Sequence, residues 1–196
     1  MKISEIKPHN NLVLAKVELL PRINEDGIYF GEQKLATKLN TEFYYGKALK
    51  VAEGAKDDNN CPGLKDGDYI VFNQFSGSAL PTEEYCKAIY GHDVVAILED
   101  LLDMRPETIK PTNDRILVEL VLEKAVNEDG VYLGVQEDPR EKQTQAAKVV
   151  SLGPNVTLDV KEGDIVYFDP YCGNLILNED ELKLKTVNQF DILFSI

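Results

Sequence analysis

Ile109-Lys110-Pro111-Thr112-Asn113-Asp114-Arg115-Ile116-Leu117 echoes the earlier stretch Ile6-Lys7-Pro8-His9-Asn10-Asn11-Leu12-Val13-Leu14. The offset of 103 residues holds without a gap as far as Asn24-Glu25-Asp26-Gly27-Ile28-Tyr29-Phe30-Gly31 and Asn127-Glu128-Asp129-Gly130-Val131-Tyr132-Leu133-Gly134. Farther on, Lys65-Asp66-Gly67-Asp68-Tyr69-Ile70-Val71-Phe72 answers Lys161-Glu162-Gly163-Asp164-Ile165-Val166-Tyr167-Phe168 at an offset of 96, so the second copy has shorter loops. His92-Asp93-Val94-Val95 pairs likewise with Phe190-Asp191-Ile192-Leu193. Self-similarity on this scale divides a chain before any local motif is weighed. It predicts two tandem domains, residues 1–100 and 101–196, joined near residues 100–108.

Each copy reads as β. Leu12-Val13-Leu14-Ala15-Lys16-Val17 and Ile116-Leu117-Val118-Glu119-Leu120 are short runs rich in branched side chains and bounded by turn formers. Ala48-Leu49-Lys50-Val51-Ala52 and Ala147-Lys148-Val149-Val150-Ser151 predict second strands. Gly67 and Gly163 sit in turns that call for positive φ, directly before the strand runs 69–72 and 165–168. The only segment with a hint of helical period is 82–87. Many short, evenly spaced strands imply an all-β fold, a small barrel or sandwich of five or so strands per half.

Between the first two strands of each copy, over residues 19–44 and 122–145, the strand pattern fades. Connections this long are uncommon in compact domains unless they are functional or disordered. Each contains three apolar residues between glycines: Gly27-Ile28-Tyr29-Phe30-Gly31 and Gly130-Val131-Tyr132-Leu133-Gly134. Such triplets are as often ordinary buried strands. The functional reading is a hydrophobic anchor on a mobile tether that orders in a partner's groove.

Charge and composition exclude several classes. With 34 acidic and 21 basic side chains the formal net charge is −13, which disfavours a nucleic-acid backbone or an anionic membrane surface as partner. No apolar run approaches the length of a membrane span. Cys61, Cys86 and Cys172 form no C-x-x-C pair, which suits a reducing compartment. Cys61 lies beside Pro62 in an Asn-rich stretch, a setting that predicts exposure. Nothing at Met1-Lys2-Ile3-Ser4-Glu5 resembles a targeting segment. The expected location is the cytosol, although a mature plastid form would also fit. His9 and His92 have no counterparts in the second copy, and neither a zinc-ligand cluster nor a G-x-G-x-x-G stretch is present. An enzyme, a metal and a cofactor are not expected.

The stretch 109–119, followed by a loop holding Gly130-Val131-Tyr132-Leu133, then Lys161-Glu162-Gly163-Asp164-Ile165-Val166 and Asp191-Ile192-Leu193, resembles the ten-kilodalton co-chaperonin family (GroES-like). The resemblance covers both halves, as in the double-domain chloroplast-type co-chaperonins. The first copy departs more, with His9 and Leu12 where Thr112 and Arg115 follow the family. Asp26 and Asp129 replace a small residue before the loop glycine, and Tyr29 and Tyr132 are bulkier than the usual aliphatic.

What the resemblance implies is two tandem, partly open antiparallel β-barrels, and a homo-oligomeric ring that caps the chamber of a large chaperonin in its ATP-bound state and assists client proteins indirectly. Carried over by position, the partner-binding residues are Gly27, Ile28, Tyr29, Phe30, Gly130, Val131, Tyr132 and Leu133. Gly77-Ser78-Ala79-Leu80 and Gly173-Asn174-Leu175-Ile176 fall near the roof-forming hairpin. Two domains per chain always give an even number, which cannot match a seven-fold partner one to one in a single tier. A ring-forming scaffold that has lost chaperonin binding is the alternative.

Overall fold

Seventeen strands run through the described residues of the computed structural model. They are β1 (Leu12–Val17), β2 (Leu19–Ile23), β3 (Tyr29–Lys34), β4 (Phe43–Val51), β5 (Tyr69–Asn73), β6 (Ser78–Ala79), β7 (Cys86–Tyr90), β8 (Val94–Leu98), β9 (Ile109–Pro111), β10 (Arg115–Leu120), β11 (Lys124–Val126), β12 (Tyr132–Val135), β13 (Gln145–Leu152), β14 (Ile165–Phe168), β15 (Asn174–Asn178), β16 (Lys183–Asn188) and β17 (Ile192–Ser195). The structure describes residues 2–23, 29–34, 43–57, 60–101, 104–121, 124–126, 132–135, 144–179 and 182–196. For 20–23, 29, 30, 32, 124–126 and 132–135 it describes the backbone alone.

The main sheet of the first repeat has the order β6-β7-β1-β4-β5-β8-β9 and that of the second β15-β16-β10-β13-β14-β17. Both are antiparallel and open, six strands of each repeat following one plan. The copies agree in their irregularities too. The β1–β4 register shifts between Leu14 and Ala15, and β10–β13 shifts between Leu117 and Val118. A second bulge falls between Val71 and Phe72, and between Tyr167 and Phe168. Each bulge adds local twist and bends the sheet toward a barrel. Gly67 and Gly163 adopt φ of +95° and +96°, as their turns require.

Alternation along β10 places the cores. Ile116, Val118 and Leu120 point into the second repeat's own cluster, with Val149, Val166 and Phe168. Leu117, on the opposite face, joins the cluster of the first repeat, as do Ile176, Leu177 and Leu184. The first core therefore extends across the boundary between the copies.

Two expectations are corrected. Residues 82–84 are a bend leading into β7, not a helical turn; Glu84 reaches back to Lys16 at 2.6 Å. Cys61 is fully buried. Its amide donates to the Ala55 carbonyl and its own carbonyl accepts from Leu64 N–H, so backbone bonds on both sides hold it in the interior.

Candidate functional site

The two long connections are not without strands. In each, a hairpin forms a separate two-stranded sheet: β2 with β3, and β11 with β12. Leu19 faces Lys34 and Ile23 faces Tyr29; Lys124 faces Val135 and Val126 faces Tyr132. Tyr29 and Phe30 open β3, while Tyr132 and Leu133 open β12. Gly27, Ile28, Gly130 and Val131 lie outside the described residues. Each ribbon is a sheet of its own, separate from the main sheet of its repeat.

The base of the first hairpin is fastened to the barrel. Lys34 Nζ donates to the Tyr44 hydroxyl at 2.5 Å and lies 4.4 Å and 4.8 Å from the ring centres of Tyr44 and Tyr85. That hydrogen bond lifts the Lys34 ammonium above its ordinary value. Burial alone would raise the Tyr44 phenol, but its bonds with Lys34 and Tyr85 outweigh burial and leave it lower. The shared register puts Gln145 and Lys183 where Tyr44 and Tyr85 stand in the first copy. The second hairpin therefore has no aromatic pair at the matching positions.

A second feature recurs in both copies and went unnoticed in the sequence. Phe75 and Tyr171, 96 residues apart, are each 81% exposed at the tip of a loop. Behind each tip a buried lysine is aimed at the loop. Lys87 Nζ donates to the Gln74 carbonyl at 2.7 Å, and Lys185 Nζ to the Pro170 carbonyl at 2.9 Å. Burial pulls both lysines below their ordinary values. The offset that aligned 65–72 with 161–168 would also have aligned these aromatics. Gly77 and Gly173, at φ +63° and +77°, turn the chain from the tips into β6 and β15.

The third feature is the junction between the copies. β9, the first strand of the second copy, leaves its own sheet and pairs with β8 of the first, Ala96 facing Pro111 and Leu98 facing Ile109. Thr112 Oγ1 donates to the Val94 carbonyl at 2.6 Å. The Arg115 guanidinium donates to the carbonyls of Val94 (3.4 Å) and His92 (3.2 Å) and to Thr112 Oγ1 (3.2 Å). Farther along, the buried Tyr45 hydroxyl donates to the Ile176 carbonyl.

Among the described residues no cluster of three or more His, Cys, Asp or Glu side chains could hold a metal ion, and no helix is long and apolar enough to cross a membrane.

Residues 108–196 match the family model of the chaperonin 10 kDa subunit. The co-chaperonin GroES of Deinococcus radiodurans is 42% identical, the match covering 43% of this chain and 95% of the relative. GroES of Desulfotalea psychrophila is 36% identical, over 38% of this chain and 93% of the relative. GroES of Cutibacterium acnes is 34% identical, over 44% and 92%. These relatives are matched over nearly their whole length, and the chain belongs to the ten-kilodalton co-chaperonin family.

Proposed function

We propose that this chain is a co-chaperonin that caps the folding chamber of a large ATP-driven chaperonin. Its contacts are the two hairpins, through Gly27, Ile28, Tyr29 and Phe30 and through Gly130, Val131, Tyr132 and Leu133. The observation that carries this reading is the duplicated hairpin in a sheet of its own, with an apolar triplet at the same place in each copy. Copies assemble into a closed ring through edge strands, and the ring acts on client proteins through the chaperonin. It works in the cytosol or an equivalent reducing compartment.

Magnitudes favour a multivalent contact. Three large apolar side chains, each gaining about 1.5–3 kcal/mol when fully buried, work against about 2–5 kcal/mol of ordering cost, leaving a contact of about millimolar strength per hairpin. Several hairpins on one ring convert this into firm but reversible attachment.

The test is native mass spectrometry of the chain with a chaperonin, with and without ATP. A ring that joins the chaperonin only with nucleotide supports the reading. Rings that ignore the chaperonin in every nucleotide state would make the protein a scaffold. Ile28→Ser/Phe30→Ser and Val131→Ser/Leu133→Ser, compared separately, report which hairpin binds.

A further inference from the structure

The junction inside the chain is a template for the junction between chains. β17 is the counterpart of β8, paired with β14 in the register that β8 uses with β5. On β8, Val95, Ala96 and Leu98 are covered, at 3%, 0% and 3% exposure. Their counterparts on β17 and just after it, Leu193, Phe194 and Ile196, are 59%, 51% and 78% exposed. Among the described residues β17 pairs only with β14, and its other edge is open.

The matching insert exists in the same chain, already shaped. Residues 3–12 repeat the backbone of 106–115: a 3-10 turn at Ile3–Glu5 and at Pro106–Thr108, then Asn10 and Asn113 at φ 57° and 56°. Leu12 N–H donates to the His9 carbonyl as Arg115 N–H does to Thr112, both at 3.1 Å. Yet Ile109, Pro111 and Thr112 are buried against the first sheet, whereas Ile6 and Pro8 are half-buried and His9 is exposed. The segment has the conformation and lacks the neighbouring edge. An open edge and a preformed complementary strand on one molecule define a head-to-tail contact between copies.

The two junctions would not be equally fastened. Inside the chain, Thr112 and Arg115 bond the carbonyls of His92 and Val94, and Tyr45 bonds Ile176. Between copies the same positions hold His9, Leu12 and Ala146. The aliphatic Leu12 offers no donor to the carbonyls of Phe190 and Ile192, and Ala146 offers none to Leu80. We infer that the seam between copies, β17 of one against residues 6–12 of the next, is the weaker of the two, and that His9 and Leu12 set its strength. This rests on the ring reading above.

The experiment measures the concentration at which the assembly of the full chain half-dissociates, by mass photometry and sedimentation. His9→Thr/Leu12→Arg copies the internal fastening onto the outer seam, and the midpoint should fall about tenfold, the worth of one added charge-assisted hydrogen bond. Leu193→Glu, at an exposed position that leaves folding intact, should abolish assembly. An unchanged or higher midpoint for His9→Thr/Leu12→Arg, or normal assembly of Leu193→Glu, overturns the inference while the ring stands. A chain that is monomeric at every concentration, in wild type and in both variants, overturns the ring reading itself.

Discussion

Lys34 Nζ and the Tyr44 hydroxyl meet at 2.5 Å, joining the last residue of β3 to the second residue of β4. Tyr44 in turn packs edge-on against Phe72 and Tyr85, with ring centres 5.9 Å and 6.1 Å apart. The first hairpin is thereby anchored to a buried aromatic cluster at its base.

Replacing Lys34 with Ala should loosen that hairpin selectively. A partly exposed cation over two rings with one charged hydrogen bond contributes about 1 kcal/mol. Amide exchange across Leu19–Ile23 and Tyr29–Lys34 should speed up about fivefold, while Lys124–Val126 and Tyr132–Val135 stay as in the wild type. Equal acceleration of both hairpins would show that Lys34 acts through global stability instead.

Burial pushes the Cys61 thiol up to about 12 from an ordinary 9.0. The folded state therefore keeps a proton that the unfolded state gives up. Its contribution is complete below pH 9 and declines as pH rises toward 12, by about 1.4 kcal/mol for each unit above 9. Urea unfolding at pH 8 and pH 10 checks this: the wild type should lose stability more steeply than Cys61→Ala.

The same burial governs thiol chemistry. Cys61 and Cys86 are fully buried and Cys172 is intermediate. Under native conditions Cys172 should be labelled by a maleimide well before the others, which should react at the rate of unfolding. Mass spectrometry of a time course showing Cys61 modified first would contradict the buried placement.

Gly77 and Gly173 should both resist substitution, unequally. A Cβ on Gly77 would lie 2.0 Å from the Ala88 carbonyl oxygen, and one on Gly173 would lie 2.7 Å from that of Thr186. Both positions have positive φ, which costs an Ala about 1–2 kcal/mol before any clash. Thermal unfolding should place Gly77→Ala below Gly173→Ala, with the former losing more than about 2 kcal/mol.

Much of the fold was legible in the chain alone, for a local reason. Gly67 and Gly163 demand turns because only glycine takes their φ without strain, and the branched runs before and after them can bury a face only as strands. The expected second strands, 48–52 and 147–151, lie within or across the ends of β4 and β13. The hairpins were harder to read. Leu19-Leu20-Pro21-Arg22-Ile23 has no apolar alternation and carries a Pro, so it resembled loop.

What the sequence determined by itself was the duplication, the β character of each copy, the glycine turns and the family that Ile109 through Leu133 resembles. All of these are written in residues near one another, where backbone sterics and apolar period act directly. Only the tertiary structure decided that β9 crosses onto the first sheet, that Leu117 turns into the neighbouring core, that Cys61 is enclosed, and that Lys34 lies between Tyr44 and Tyr85. Each of those depends on a surface assembled from segments distant in the chain, and no local pattern records which distant surface a side chain will meet.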